Sequence, residues 1–577
     1  MNISIRVKKN NEVFSLLKDD AFVIKWIALA HQMKNLTAFQ EPSFVSSWYF
    51  EYATAYQPVL VVGYNEQLEI VGILPLAYSL TDELLYHAGT YQAEYHGWIC
   101  EKHIAHDFLY QALITLKQNF KFNKKWFWGW LPAETETTAL MSNQLKKANI
   151  HAKVTIEESP VLDLSNFDSI DRMKKSRSLK TKLNRFNKRG HFHIERIKSK
   201  EKAIEVFDLL EKQSDFRQMA TNQFTPFASD PLRKQFLINR VEDATNCHFT
   251  VLWLDNHPIA FNHGECSANT VFLGLVSYDP LEGKNSPGII FIIKLAELMK
   301  EEGYRFFDLT PGGDSYKQTF MNMTQEIPIL TIFFDKKDKL LSDFKDALKL
   351  NVKNILGSLK IDPTIALRNT TKPFSLIKAL IKSSPSQFIS QLKSTIYKKE
   401  EILFYKVAID NLKISEIANN ISIELNNYSN LFLYETKDQS EKEQVFSNAL
   451  KRFEKENKIY TLVKEGKLID YIWVTKKITS HKITPFDMEL KLPENSIMLY
   501  DTLSNTYSNN LLLKVLEELQ KDSKLEKIAS VFIELNPQDS SSQEILNAIG
   551  FTPYCKLERK KIISLIEKKK VFFEKDL

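Results

Sequence analysis

At 577 residues the chain is too long for one compact core and points to roughly three or four domains of the usual ~150 residues. A composition of 44% hydrophobic and 26% charged residues, with 16 Gly and 19 Pro, excludes a disordered or fibrous chain. The net charge of +6 excludes an overall nucleic-acid-binding polymer and leaves room only for local basic patches.

In chain order, the opening MNISIRVKKNNEVFSLLKDD carries a charge within a few residues of every apolar run, so no signal-peptide core is expected. Nowhere do about 18 apolar residues follow one another, so no membrane span is expected either, and the chain reads as cytoplasmic. AFQEPSFVSSWYFEYATAY predicts a helix entered through Pro42, and PVLVVGYNEQLEIVGILPLAYS predicts a hairpin turning at Asn65-Glu66. QALITLKQNF predicts a helix. KKWFWGWLPA predicts a strand whose aromatics fill a core more readily than they wall a ligand.

Residues 172–189, RMKKSRSLKTKLNRFNKR, hold nine basic residues and no acidic one, with Met173, Leu179, Leu183 and Phe186 along one helical edge. Two readings stand side by side: a solvated face, or a surface for phosphate, nucleic acid or polar lipid. Residues 247–278 predict three antiparallel strands turning at Asp255-Asn256 and Ser267–Asn269. A helix over 288–302, a strand over 304–309, a Gly312-Gly313 loop and a strand over 328–334 follow, the pattern of an α/β sandwich with a mixed sheet.

From Lys345 to Lys399 the chain has eleven basic and two acidic residues and breaks at Pro363, Pro373 and Pro385. It reads as a connector packed on its neighbours, or as a segment lying on an anionic membrane surface. Residues 401–566 repeat the earlier order, with a hairpin turning at Glu465-Gly466, then strand, helix, strand, a short helix ending at Gly550-Phe551, and a last strand. The four cysteines, Cys100, Cys247, Cys266 and Cys555, lie too far apart for a zinc knuckle or redox pair and read as free buried thiols; no metal constellation is expected.

Four stretches then carry a family likeness. They are AFQEPSFVSSW with GILPLAY and AEYHGWI (38–48, 72–78, 93–99), SPVLDLSNFDSIDRMKKSRSLKTKLNRFNKRG (159–190), SPGIIFIIKLAEL (286–298) and FDLTPGGDSYKQTF (307–320). Together they resemble the GNAT acyltransferase superfamily, in the CelD/BcsL-like branch linked to polysaccharide synthesis and related to the Fem-type aminoacyl transferases. Asn285 stands where that family has a tyrosine. The likeness covers residues 35–335, and 535–554 resembles the ending of a second GNAT unit. In that second unit TLSNTYSNNLLLK (502–514) lacks the glycine loop that would rest a CoA pyrophosphate. The implied fold is α/β with tandem GNAT-like domains: a degenerate module at 1–157, an acyltransferase domain at 158–335, a basic helical connector at 336–400 and a C-terminal GNAT-like domain at 401–577.

The likeness implies transfer of an acyl group, acetyl from acetyl-CoA or another acyl-CoA, onto a sugar or cell-envelope precursor, small or lipid-linked. Ser286, Pro287, Gly288 and Ile289 sit where a helix N-terminus would hold the donor's phosphates, against the plainer reading of an ordinary helix start. Tyr316 is the expected acid. Lys317 would steady developing charge or bind an acceptor's anion, and Asp308 is a base or a cap of the glycine loop. His263 is a weaker base candidate, Glu265 shares its face, and Gly274 and Tyr278 are expected to line the acceptor cleft. Two alternatives remain: transfer from aminoacyl-tRNA, or a non-catalytic GNAT-like scaffold. The first is disfavoured because no heptad arm appears between residues 200 and 330.

Overall fold

The computed structural model describes residues 3–33, 36–358, 397–414, 422–483, 486, 488–503, 508–562 and 566–573. The chain clusters into two units. One takes in Met1–Asp215, Phe224–Asp279 and Asn285–Ile355, and the other Phe216–Gln223, Pro280–Lys284 and Leu356–Leu577.

In the first unit, the two β-rich runs around Asn65 pair as expected. β1 (Ser4–Lys9), β2 (Tyr56–Tyr64), β3 (Ile70–Ser79) and β4 (Leu85–His87) form an antiparallel sheet, with β5 (Ile99–Cys100) also on β3. The expected helix begins at Pro42 and ends at Glu51, with Pro fitting a first turn whose N–H would have no partner. The second sheet holds β6 (Trp126–Trp130), β7 (His151–Asp163), β8 (Phe192–Ile197), β9 (Cys247–Leu254), β10 (His257–Ser267), β11 (Thr270–Phe272), β12 (Leu275–Tyr278), β13 (Phe306–Asp308) and β14 (Met323–Phe333). Their spatial order is β6-β14-β7-β13-β11-β10-β9-β8, with β12 beside β10.

The third run of the expected meander is thus two strands. β11 runs parallel to β13, joined through the helix Pro287–Glu301, whereas β12 pairs with β10 alone. The basic run 172–189 is also two elements, Asp168–Lys175 and Arg177–Arg189, because Ser176 turns out of the helix and accepts from Leu179 N at 3.2 Å as a new N-cap. Such a cap contributes about 1 kcal/mol. Leu179 and Phe186 are buried in one core with Ile290, Phe291 and Leu295 of the helix Pro287–Glu301. Burial of side chains this size contributes about 1.5–3 kcal/mol each, which outweighs the few tenths of a kcal/mol from each like-charge pair.

In the second unit, strands run β15 (Tyr397–Ala408), β16 (Glu424–Leu425), β17 (Lys458–Lys464), β18 (Lys467–Val474), β19 (Ile478–Ile483), β20 (Met488–Thr502), β21 (Ser530–Leu535), β22 (Thr552–Ile562) and β23 (Ile566–Phe573). The sheet order is β16-β17-β18-β20-β21-β15-β22-β23, with β19 on β20. Its parallel pair, β20 and β21, brackets the helix Asn509–Glu526, just as β11 and β13 bracket Pro287–Glu301. Each unit therefore holds a mixed sheet with one parallel crossover, the expected tandem α/β pattern. The connector expected over 336–400 begins as the helix Lys336–Ser358, and its stretch 359–396 lies outside the described residues, as do 504–507 of the 502–514 loop. No described helix is long and apolar enough to cross a membrane.

Candidate active site

β11 and β13 stay paired as far as Phe272 and Asp308, where Leu273 N donates to Asp308 O at 2.8 Å. Beyond that bond the strands part. Leu275 to Tyr278 turn back onto His263 to Ala260 of β10, and Leu309 N bonds Pro160 O at 3.0 Å instead. Glycine makes the kink possible, since a Cβ at position 274 would lie 2.2 Å from His263 O. The sheet is therefore open between β12 and β13, with Asp308 at the fork.

Residues on the two sides of the fork face opposite ways. Side chains alternate along a strand, so Phe272 looks towards the N-terminal half while Val271 and Leu273 meet the helix Pro287–Glu301. Asp308 shares the face of Phe272. It is 5% exposed, and its Oδ2 accepts from the Tyr95 hydroxyl at 2.9 Å while its Oδ1 accepts from Thr310 N at 2.7 Å. Ser159 Oγ lies 3.2 Å from the same hydroxyl. Burial raises Asp308 to about 6, against the pull of the Thr310 amide, the Tyr95 hydroxyl and Lys317. A cavity of about 600 Å³ opens beside it, lined by Tyr95, Thr37, Ser267 and Gln325 among others.

On the other side stands the start of the helix Pro287–Glu301. Ser286 has φ 52°, a left-handed conformation unusual for serine, and its carbonyl accepts from Ile289 and Ile290 while its Oγ accepts from Lys182 Nζ at 2.8 Å. Lys182 comes from the basic helix Arg177–Arg189, which thus abuts this turn. Ile289 is partly exposed, and a Cβ on Gly288 would meet the Tyr278 ring at 3.2 Å. The turn gathers a left-handed serine, a helix N-terminus, a lysine ammonium and a glycine with little spare room, a donor set suited to an anion such as a pyrophosphate.

The glycine loop after β13 is shaped by Lys317. Its buried Nζ donates to Thr310 O and Pro311 O, each at 3.1 Å, and lies 3.5 Å from Asp314. Gly312, at φ 120°, takes a conformation that a side chain would strain. Tyr316 is half-buried on the short helix Ser315–Phe320 and packs against the central core.

The fold thus brings together Asp308, Tyr316 and Lys317 at one edge of the fork, and Gly274, Tyr278, Ser286, Pro287, Gly288 and Ile289 at the other. His263 and Glu265 do not join them. Both lie on the face of β10 turned towards the helix Arg233–Arg240, where His263 Nε2 is 2.8 Å from Leu237 O and 3.7 Å from Cys247 Sγ. Burial pulls His263 down to about 4, leaving it neutral at physiological pH. Glu265 is held by Arg240 at 2.7 and 3.2 Å. Cys247, His263 and Glu265 place ligand atoms within 4.8 Å of one another, but the Arg240 guanidinium already neutralises the carboxylate, so this donor set does not fit a cation. Tyr95 and Lys182 had no role in the sequence reading. Tyr95 lies inside the AEYHGWI stretch, but nothing local links it to Asp308.

Residues 173–318 match the family model described as an acetyltransferase (GNAT) domain, so the centre of the chain is a GNAT-type domain, and the match holds Lys182, the Ser286–Ile289 turn and the Asp308–Lys317 stretch. No curated protein matches the sequence. Among solved structures, the chain is similar to the C-terminal domain of a putative lysylphosphatidylglycerol synthetase from Agrobacterium fabrum, at 13% identity, TM-score 0.35, and coverage of 56% of this chain and 96% of that one. It is also similar to FemX, at 9% identity, TM-score 0.38, and coverage of 53% and 95%. A tandem GNAT protein from the clavulanic acid biosynthesis pathway follows at 11% identity, TM-score 0.21, and coverage of 65% and 99%. These TM-scores are too low to carry an argument.

Proposed function

We propose that the chain is an acyl-CoA-dependent acyltransferase, moving an acyl group, acetyl in the first instance, onto an amine of a sugar or cell-envelope precursor. The reading is carried by the fork itself. A buried carboxylate raised to about 6 stands at the edge where β12 and β13 part, and an anion-suited helix start stands across it. In this reading Ser286, Gly288 and Lys182 hold the donor's phosphates, with Pro287 and Ile289 shaping the turn. Asp308 orients the acceptor or takes its proton, and Tyr316 returns a proton to the leaving sulfur. Lys317 holds the glycine loop in the form that presents Tyr316. His263 and Glu265 support this arrangement from the interior.

The segments divide the work as 1–157 completing the acceptor side, 158–335 transferring, 336–400 connecting, and 401–577 as a second GNAT-like domain. A CelD/BcsL-like role in polysaccharide assembly, at the inner face of a membrane, belongs to the same reading. It draws on the exposed basic side chains of residues 172–189. The same surface favours one competing reading, aminoacyl-tRNA as donor.

Calorimetric titration of the whole chain with acetyl-CoA, beside Lys182→Ala, tests the proposal. Binding weakened about tenfold in the variant supports the donor site. No binding of acetyl-CoA, with salt-dependent binding of aminoacyl-tRNA, replaces it with the tRNA reading.

A further inference from the structure

The cavity beside Asp308 adjoins a second one of about 630 Å³, and Leu36 and Glu134 line both. The two differ in chemistry. Asp308, Thr37, Ser267, Thr270 and Gln325 give the first a hydrogen-bonding surface. Leu29, Met33, Leu36, Trp98 and Pro132 give the second an apolar wall. That wall is built into the fold, since Leu29 and Trp98 are 4% and 7% exposed and Met33 and Leu36 pack half-buried against the core that holds Leu29. Cys100 also lines it, with a thiol that burial pushes up to about 12, so it adds no charge.

Charge gathers at the rim of the second cavity, where Lys102, Glu134 and Glu136 are exposed and Lys102 pairs with Glu136 at 3.4 Å. One run of hydrogen bonds ties the two cavities into a single frame. Thr37, in the first, donates its hydroxyl to Gln40 Oε1 at 2.6 Å, and Gln40 lines the second. Gln40 Nε2 donates in turn to Tyr95 O at 2.8 Å, and the Tyr95 hydroxyl donates to Asp308. The apolar wall is thereby held in register with the carboxylate. Apolar surface that faces water is costly to leave open, and an apolar chain laid on it relieves that cost.

We infer that the acceptor is an amphiphile, whose polar head lies beside Asp308 and whose apolar chain runs over Leu36 into the second cavity. The inference rests on the acyltransferase reading, in which Asp308 meets the acceptor. To that reading it adds a chain that the head alone does not require, and it gives the chain a place. Two separate ligands would need two separate walls, whereas the shared Leu36 and Glu134 let one molecule span both cavities.

The probes are the methyl and octyl glycosides of glucosamine, each below its micelle concentration, titrated calorimetrically into the whole chain. A buried methylene strengthens binding up to about fourfold, so the octyl glycoside is expected to bind at least about thirtyfold more tightly than the methyl one. Met33→Gln sets an amide into the apolar wall at a half-buried position and should cut that ratio at least about fivefold, with the melting temperature showing that the variant folds. Equal affinities in the wild type, or no binding by either glycoside, overturn the inference without recourse to a variant. An unchanged ratio in folded Met33→Gln overturns it as well. Acetyl-CoA titrated into the same samples separates the two readings. Acetyl-CoA binding with equal methyl and octyl affinities removes only the chain site, and the converse removes only the donor assignment.

Discussion

The Tyr95 hydroxyl donates to Asp308 Oδ2 over 2.9 Å and joins residues 213 positions apart. The bond offsets part of the cost of burying that carboxylate and lowers the pH at which it ionises. Tyr95→Phe keeps the ring and removes the donor, so Asp308 should ionise above its present value of about 6. The acid limb of the pH–rate profile is expected to move upward, with a fall in rate at pH 7 of about tenfold. A limb that stays in place would assign it to another group.

Asp308 also sets a stability trend. Its folded value of about 6 lies above the unfolded carboxylate value of ~3.9, so the folded state binds the extra proton. The stability this contributes is fully present below about pH 4 and is lost as the pH rises through 6. Asp308→Asn should therefore be more stable than wild type at pH 7.5, on the order of 2 kcal/mol, and close to it at pH 4. Urea midpoints of the first unit at the two pH values check this, and the same variant should lose transfer activity.

Gly274 tests the fork. A Cβ there would lie 2.2 Å from His263 O, a backbone atom that cannot swing aside. Gly274→Ala should cost more than about 2 kcal/mol or force β12 away from β10, read as a lowered melting temperature together with weaker acetyl-CoA binding. An unchanged melting temperature would show that β10 and β12 yield at no cost.

Arg240 and Glu265, 1% and 6% exposed, form a buried pair at 2.7 Å. Arg240→Met strands the carboxylate and should cost about 3–5 kcal/mol, whereas the double change with Glu265→Met should recover much of it. A double-mutant cycle measured by denaturant reports the coupling. Additive costs would mean that the two side chains stabilise independently.

The basic helix should behave as a surface rather than a support. Arg177, Lys180, Arg185 and Lys188 are exposed and make no ion pair among the described residues. Replacing all four by Ala should change stability by less than about 1 kcal/mol, lower the affinity for polyanionic ligands and flatten its salt dependence. Binding measured at two salt concentrations decides it.

Local chemistry and periodicity made much of this protein legible from its amino acids. Pro42 opens its helix, Asn65 and Glu465-Gly466 turn their hairpins, and Met173, Leu179, Leu183 and Phe186 all pack, buried or half-buried, on one core although Ser176 breaks their run into two helices. These depend on neighbours a few residues away, which a sequence displays directly. The Ser286–Gly288 helix start and the Asp308–Lys317 loop were equally readable, because turn residues carry their conformations with them.

The site itself was decided by tertiary structure. Whether 270–278 was one strand or two depended on which strand each half met, since both halves carry the same β-type residues. His263 and Glu265 alternate as any strand residues do, and only the position of the helix Arg233–Arg240 turned their face into the interior. Tyr95 gained its role from Asp308 and Lys182 from Ser286, pairings that no spacing records. Sequence alone determined most of the elements and their order. Long-range packing determined which strands part and which buried charges find a partner, because those energies depend on groups that are distant along the chain.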